Sequence, residues 1–132
     1  MTVIVDMKDE VIEVIVDGKE VTKIEFINEG NQITIASIGT ETPYQKCGYG
    51  RLAFEVLKLL SEQYKLPIVL WSLDPAVPFY EQIGLLHLNN PEVQKKVMFG
   101  NVEIKELKEK INNNDFVYMP QSLYRRKPII YL

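Results

Sequence analysis

The chain has 132 residues, of which 46% are hydrophobic, 25% charged and 10% aromatic, and its formal net charge is −3. That length and composition fit one folded domain spanning residues 1–132 and argue against both a two-domain enzyme and a disordered chain. The acidic balance speaks against a nucleic-acid or anionic-membrane partner. No apolar run approaches the roughly 18 residues of a membrane helix, and a single Cys47 with a single His87 can build neither an internal disulfide nor a Cys/His zinc cluster. The amino end lacks a basic region followed by an apolar stretch, so the expected protein is soluble and cytoplasmic.

In chain order, a short strand at Val3 to Val5 precedes a β-branched run, Val11 to Val16, that ends on Asp17-Gly18. This dipeptide favours positive φ at both central positions and predicts a hairpin. The return strand, Glu20 to Ile27, sets Thr22, Ile24 and Phe26 against Lys23 and Glu25. Asn28 to Asn31 then turns into a fourth strand, Gln32 to Ile38, in which Ile33 and Ile35 alternate with Thr34 and Ala36. The first forty residues are therefore a meander with no helix.

After Gly39 the period changes. Leu52, Val56, Leu59 and Leu60 recur at helical spacing from Arg51 to Tyr64, and the apolar run Ile68 to Trp71 reads as a buried strand with neighbours on both sides. Strand, loop, helix and strand make a βαβ unit. Asp74-Pro75 reads as a helix cap followed by proline, opening a short helix from Ala76 to Ile83 that Gly84 ends. A strand at Leu85 to Leu88 follows, then helices from Asn90-Pro91 to Gly100 and around Ile104, Leu107 and Ile111. Phe116 to Met119 and Ile129 to Leu132 are strand candidates flanking Arg125-Arg126-Lys127.

The loop Gln45-Lys46-Cys47-Gly48-Tyr49-Gly50 lies between a strand and a helix start, where free N–H groups and accessible backbone suit an anion. It matches neither the Walker pattern nor the dinucleotide fingerprint. Read alone, it is a phosphate cradle or a plain tight turn.

Context decides between them. Gln45, Gly48 and Gly50 match the Gln/Arg-x-x-Gly-x-Gly/Ala cofactor loop of the GNAT superfamily of acyl-CoA-dependent N-acyltransferases, and Phe79-Tyr80-Glu81-Gln82-Ile83-Gly84 matches that family's Phe-Tyr-Glu-x-x-Gly helix end. The chain resembles that family over about residues 20–88. The resemblance implies an α/β (α+β) fold with a mixed, mostly antiparallel, splayed sheet and helices on both faces. It implies acetyl-CoA as cosubstrate, gripped between the fourth and fifth strands. Backbone around Ile38 to Thr40 would pair with the pantetheine, and amides of Gln45, Lys46, Cys47, Gly48, Tyr49, Gly50 and Arg51 would hold the pyrophosphate.

By the same resemblance, Tyr80 corresponds to the tyrosine that protonates the leaving thiolate, a role that suits a phenol with a reference pKa near 10; the alternative is that it packs as core. A general base is less evident: Glu41, just past the fourth strand, is the first candidate and Glu25 the second. Leu73 stands where the family often has asparagine, leaving Ser72 or Asp74 as substitutes. Cys47 reads as a loop residue and His87 as a packed one.

The pair of helices that the family carries between its first two strands has no room here. The acceptor surface then falls to residues 89–128 or to a second copy of the chain in a homodimer. The expected reaction is acetyl transfer from acetyl-CoA to a small-molecule or peptide amine, with no metal. The alternative is a non-catalytic CoA-binding sensor or protein-interaction module on the same fold; an unrelated nucleotide-binding domain would make Phe-Tyr-Glu a coincidence.

Overall fold

The computed structural model describes residues 1–87, 115–118 and 120. Its amino-terminal half is an antiparallel meander of β1 (Thr2–Asp6), β2 (Val11–Val16), β3 (Lys19–Asn28) and β4 (Ile33–Thr40). Asp17 and Gly18 both have positive φ, +51° and +76°, as a tight hairpin with right-handed strand twist requires. Helix α1 (Tyr49–Tyr64) then carries the chain to β5 (Ile68–Trp71), parallel to β4, completing the expected βαβ unit. After α2 (Val77–Gln82) come β6 (Leu86–His87) and β7 (Asp115–Tyr118), and the described residues form a seven-stranded sheet of order β1-β2-β3-β4-β5-β7-β6. β5 thus lies between β4 and β7, with Ile68, Val69 and Leu70 buried as its apolar run predicts and Trp71 exposed.

The apolar stripe of α1 packs on β2, β3 and β4: Ala53, Phe54 and Leu57 are fully buried in one cluster with Ile12, Val14, Ile24 and Phe26. Apolar residues two apart on the strands meet residues three or four apart on the helix, so both periodicities serve one core. At the carboxyl end of α1, Ser61 is buried and its hydroxyl donates to the Leu66 carbonyl. Ser61→Ala leaves that carbonyl without its partner, and we expect a loss of about 1–2 kcal/mol, read as a lower urea midpoint at constant m-value.

Two local expectations are corrected. Thr34 does not point to solvent opposite Ile33 and Ile35; it is 8% exposed, and its hydroxyl donates to the Glu29 carboxylate and accepts from Gln32 Nε2. The start of β4 is flanked by β3 and β5, so alternation ceases to mark a wet face there. Asp74 is not a helix cap either. Residues Asp74–Ala76 form a 3₁₀ turn with Leu73 at its cap, Ala76 caps α2, and neither cap uses a side-chain hydrogen bond. Pro75 and Pro78 both lack an N–H, so the chain enters the helix through a tighter turn.

Gly84, at φ +96°, does follow the helix as expected. The helices expected over 90–100 and around Leu107, the strand at 129–132 and Arg125-Arg126-Lys127 lie outside the described residues, as do Leu88 and Met119.

Candidate functional site

β4 and β5 begin as neighbours and then part. Their pairing is confined to Ile33 with Ile68 and Thr34 with Val69, although β4 runs on to Thr40. On the other edge of β4, Ser37 pairs with Glu25 and Ile35 with Phe26, so Ala36 is an extra residue, a bulge. A bulge bends its strand and raises its twist. Placed two residues beyond the last β5 pair, it turns β4 away, and among the described residues the β5-facing edge of residues 35–40 has no strand partner.

That bare edge leads into the glycine loop. Glu41 N–H still bonds to the Val21 carbonyl at 2.9 Å, Thr42–Tyr44 make a 3₁₀ turn, and Gln45 Nε2 donates back to the Thr40 carbonyl at 3.0 Å. The Thr40 and Thr22 hydroxyls share a hydrogen bond of 2.8 Å, which ties the strand end to β3. Positive φ at Lys46 (+63°) and Gly48 (+87°) turns the chain twice within three residues and delivers it to α1.

Gly48 is the cap of α1, and no side chain caps the helix. The first helical bond is from Leu52 N–H to the Gly48 carbonyl, so the N–H groups of Tyr49, Gly50 and Arg51 precede the ladder. With the helix dipole behind them they form an anion seat, and a Cβ at Gly48 would meet only open space. Cys47 is exposed, with Sγ 3.5 Å from the Gln45 carbonyl. Tyr49 packs partly into the core and lies 6.3 Å, ring to ring, from Tyr44.

The two motifs, separate in sequence, meet in space. A Cβ on Gly50 would lie 3.5 Å from Thr40 Oγ1 and 3.7 Å from Phe79 Cζ, so strand end, helix start and Phe-Tyr helix converge there. Next to Phe79, Tyr80 is 6% exposed and sits among the rings of Phe79, Phe54 and Phe116 at centroid distances of 5.3, 6.1 and 5.9 Å. Its hydroxyl has no hydrogen-bond partner among the described residues, and burial raises its pKa above the ordinary tyrosine value. A buried phenol normally finds a partner; this one stays protonated, and so able to donate, at neutral pH.

Both acid candidates are engaged with lysines. Glu41 forms a 2.9 Å ion pair with Lys19 that is about half exposed, and the carboxylate in turn raises the Lys19 pKa. Glu25 is exposed and lies 3.7 Å from Lys23. Between the ends of β3 and β4 an open depression of about 450 Å³ is lined by Glu20, Lys23, Glu41 and the Gly39–Thr40 segment. Ser72 Oγ donates to its neighbour's carbonyl, Leu73 is 81% exposed, and His87 stacks on Phe116 at 4.8 Å. Thr22, Lys19, Phe54 and Phe116 are the contributors not singled out from sequence. The Asn28–Asn31 turn implied that the strand carrying Thr22 lies beside β4, but not its register.

No family model and no curated protein matches the sequence. Solved structures do. An acetyltransferase of the GNAT family from Staphylococcus aureus Mu50 superposes with a TM-score of 0.59 at 15% identity, over 83% of this chain and 66% of that one. The GNAT fold is shown. The Bacillus subtilis N-acetyltransferase YlbP, solved in complex with coenzyme A, has the same fold at a TM-score of 0.57 and 12% identity, over 86% of this chain and 69% of that one. The Escherichia coli ribosomal-protein-S18-alanine N-acetyltransferase gives 0.54 at 22% identity over 58% of this chain. This chain spans 52%, about half, of that enzyme's length.

Within the GNAT fold this sheet is spare at one point. β1 and β2 are joined by Met7–Glu10 alone, a turn held by Asp6 Oδ1, which accepts the N–H groups of Lys8 and Asp9 at 3.0 and 2.9 Å. No helix therefore stands between β1 and β2. The expectation that residues 89–128 replace the family's helical pair lies outside the described residues. No described helix is long and apolar enough to cross a membrane.

Proposed function

We propose that the protein is an acetyl-CoA-dependent N-acetyltransferase acting in the cytoplasm on a small-molecule or peptide amine. The observation that carries this reading is the convergence at Gly50: the bare edge of β4, the uncapped start of α1 and the Phe79-Tyr80 helix meet at one point. The unpaired β4 edge suits the amides of a pantetheine arm, which would add to it as an extra strand does. The N–H groups of Tyr49, Gly50 and Arg51 suit the pyrophosphate. A relative solved with coenzyme A and one that is a protein-alanine N-acetyltransferase support the assignment.

In this reading the acceptor nitrogen attacks the thioester carbonyl carbon and the C–S bond breaks. Tyr80 gives its phenolic proton to the leaving thiolate, and the proton lost by the amine passes to Glu41, directly or through water. Glu41 must give up Lys19 to do so. Glu41→Gln is expected to leave the melting temperature unchanged, since exposed ion pairs contribute little, and to lower kcat about tenfold or more with KM for acetyl-CoA constant. Equal kcat removes Glu41 from the mechanism.

The second reading, a CoA-binding module without turnover, is favoured by the engagement of Glu41 with Lys19 and by Leu73. Thermal stabilisation by acetyl-CoA and CoA, compared with ATP and NAD, tests the cleft, because a ligand that prefers the native state raises the melting point. Release of free thiol from acetyl-CoA in the presence of an amine panel then separates enzyme from module.

A further inference from the structure

We infer that β1 is a dimerisation edge: two copies pair β1 with β1, antiparallel about a two-fold axis at Ile4. The inference is independent of the acetyl-transfer reading. β1 is the outermost strand of the sheet and pairs only with β2 among the described residues, so its far edge offers a row of backbone N–H and C=O groups. Exposed edges are usually blunted by lysine, proline or a bulge. Thr2–Asp6 contains no lysine or proline, and its register with β2 runs unbroken from Thr2 with Ile15 to Asp6 with Val11. The strand is apolar where an edge should be polar, with Ile4 45% and Val5 38% exposed.

What fits this edge is the strand itself. The register that uses all five residues sets Thr2 opposite Asp6 of the partner subunit, Val3 opposite Val5 of the partner subunit and Ile4 opposite Ile4 of the partner subunit. No like charges oppose one another. Val3 already packs on the core while Val5, on the same face, is left partly bare. The two-fold lays each Val5 beside a valine that is anchored. Among the described residues the opposite edge is the two-residue β6, and the symmetric β1 pairing closes on itself.

Sedimentation over a concentration series tests the inference, with hydrogen exchange at the β1 amides as a second readout. The wild type is expected to dimerise, with β1 amide protection rising as dimer forms. Ile4→Lys sets two ammonium groups opposite each other and should raise the dissociation constant at least about tenfold, with the monomer's circular dichroism unchanged. Mixing Ile4→Lys with Ile4→Glu should restore a heterodimer. If Ile4→Lys does not fold, Ile4→Thr, which keeps strand propensity and removes apolar surface, is read in its place and should also weaken the dimer. A wild type that stays monomeric, including one whose β1 amides are protected by another part of the same chain, overturns the inference. So does a dimer indifferent to Ile4→Lys, or a charge-swapped pair that does not recombine.

Discussion

Gly48→Val is expected to bind acetyl-CoA at least about tenfold more weakly, a loss near 1.4 kcal/mol, while keeping the fold. Gly48 stands at φ +87°, in the left-handed region, where an L side chain costs about 1–2 kcal/mol and a β-branched one is the worst case. The chain then has two options. It can hold the turn and carry the strain as lost stability, with a branched side chain at the mouth of the anion seat. It can instead rotate out, which swings the N–H groups of Tyr49 and Gly50 off their common direction. Both weaken a ligand that relies on close backbone approach. Gly30 supplies the matched control: it has the same φ of +87° and equally open space around its Cβ, but it lies in the β3–β4 turn. Gly30→Val should lose similar stability and no affinity. Titration calorimetry with acetyl-CoA on both variants reads the difference, and equal affinity in folded Gly48→Val and wild type removes the loop from the binding site.

The meander was legible because Asp17-Gly18 and the period-2 alternation are local signals, which tertiary context overrode only in its last strand, at Thr34, where β5 covers the second edge. α1 was legible for the same reason, with its start two residues earlier than the apolar pattern alone suggests because Gly48, not an apolar residue, sets the cap. The bulge at Ala36 was not. Ala36 and Ser37 are small and exposed, so an extra residue there disturbs no hydrophobic pattern, although the parting of β4 from β5 depends on it. The engagement of Glu41 was hidden likewise: its partner Lys19 lies one strand away, and only the β3–β4 register brings the two together. For Asp74 the sequence rule named a cap, and the second proline moved the helix start past it. Tyr80 was legible only through its Phe-Tyr-Glu context. That its ring would be enclosed by Phe54 and Phe116, from α1 and β7, required the fold.

That enclosure makes Tyr80→Phe the sharpest test of the chemistry, because stability and turnover should move differently. The ring fills the same space in both proteins, so packing against Phe54, Phe79 and Phe116 is kept. The hydroxyl removed has no hydrogen-bond partner among the described residues, and a buried polar group without a partner is a cost to the native state. Tyr80→Phe should therefore melt at or above the wild-type temperature. Its acetyl-CoA affinity should change less than about twofold, whereas kcat should fall about 100-fold, the usual contribution of a positioned proton donor. The alkaline behaviour gives an independent sign. Burial raises the Tyr80 pKa above its unfolded value, so its contribution to stability is complete below about pH 10 and is lost as pH rises through the folded value. The wild type should lose stability above about pH 10 more steeply than Tyr80→Phe, and its kcat should not decline through Tyr80 ionisation anywhere below that range. A tyrosine that serves only as core would leave kcat equal in the two proteins, and the proton for the thiolate would then have to come from solvent.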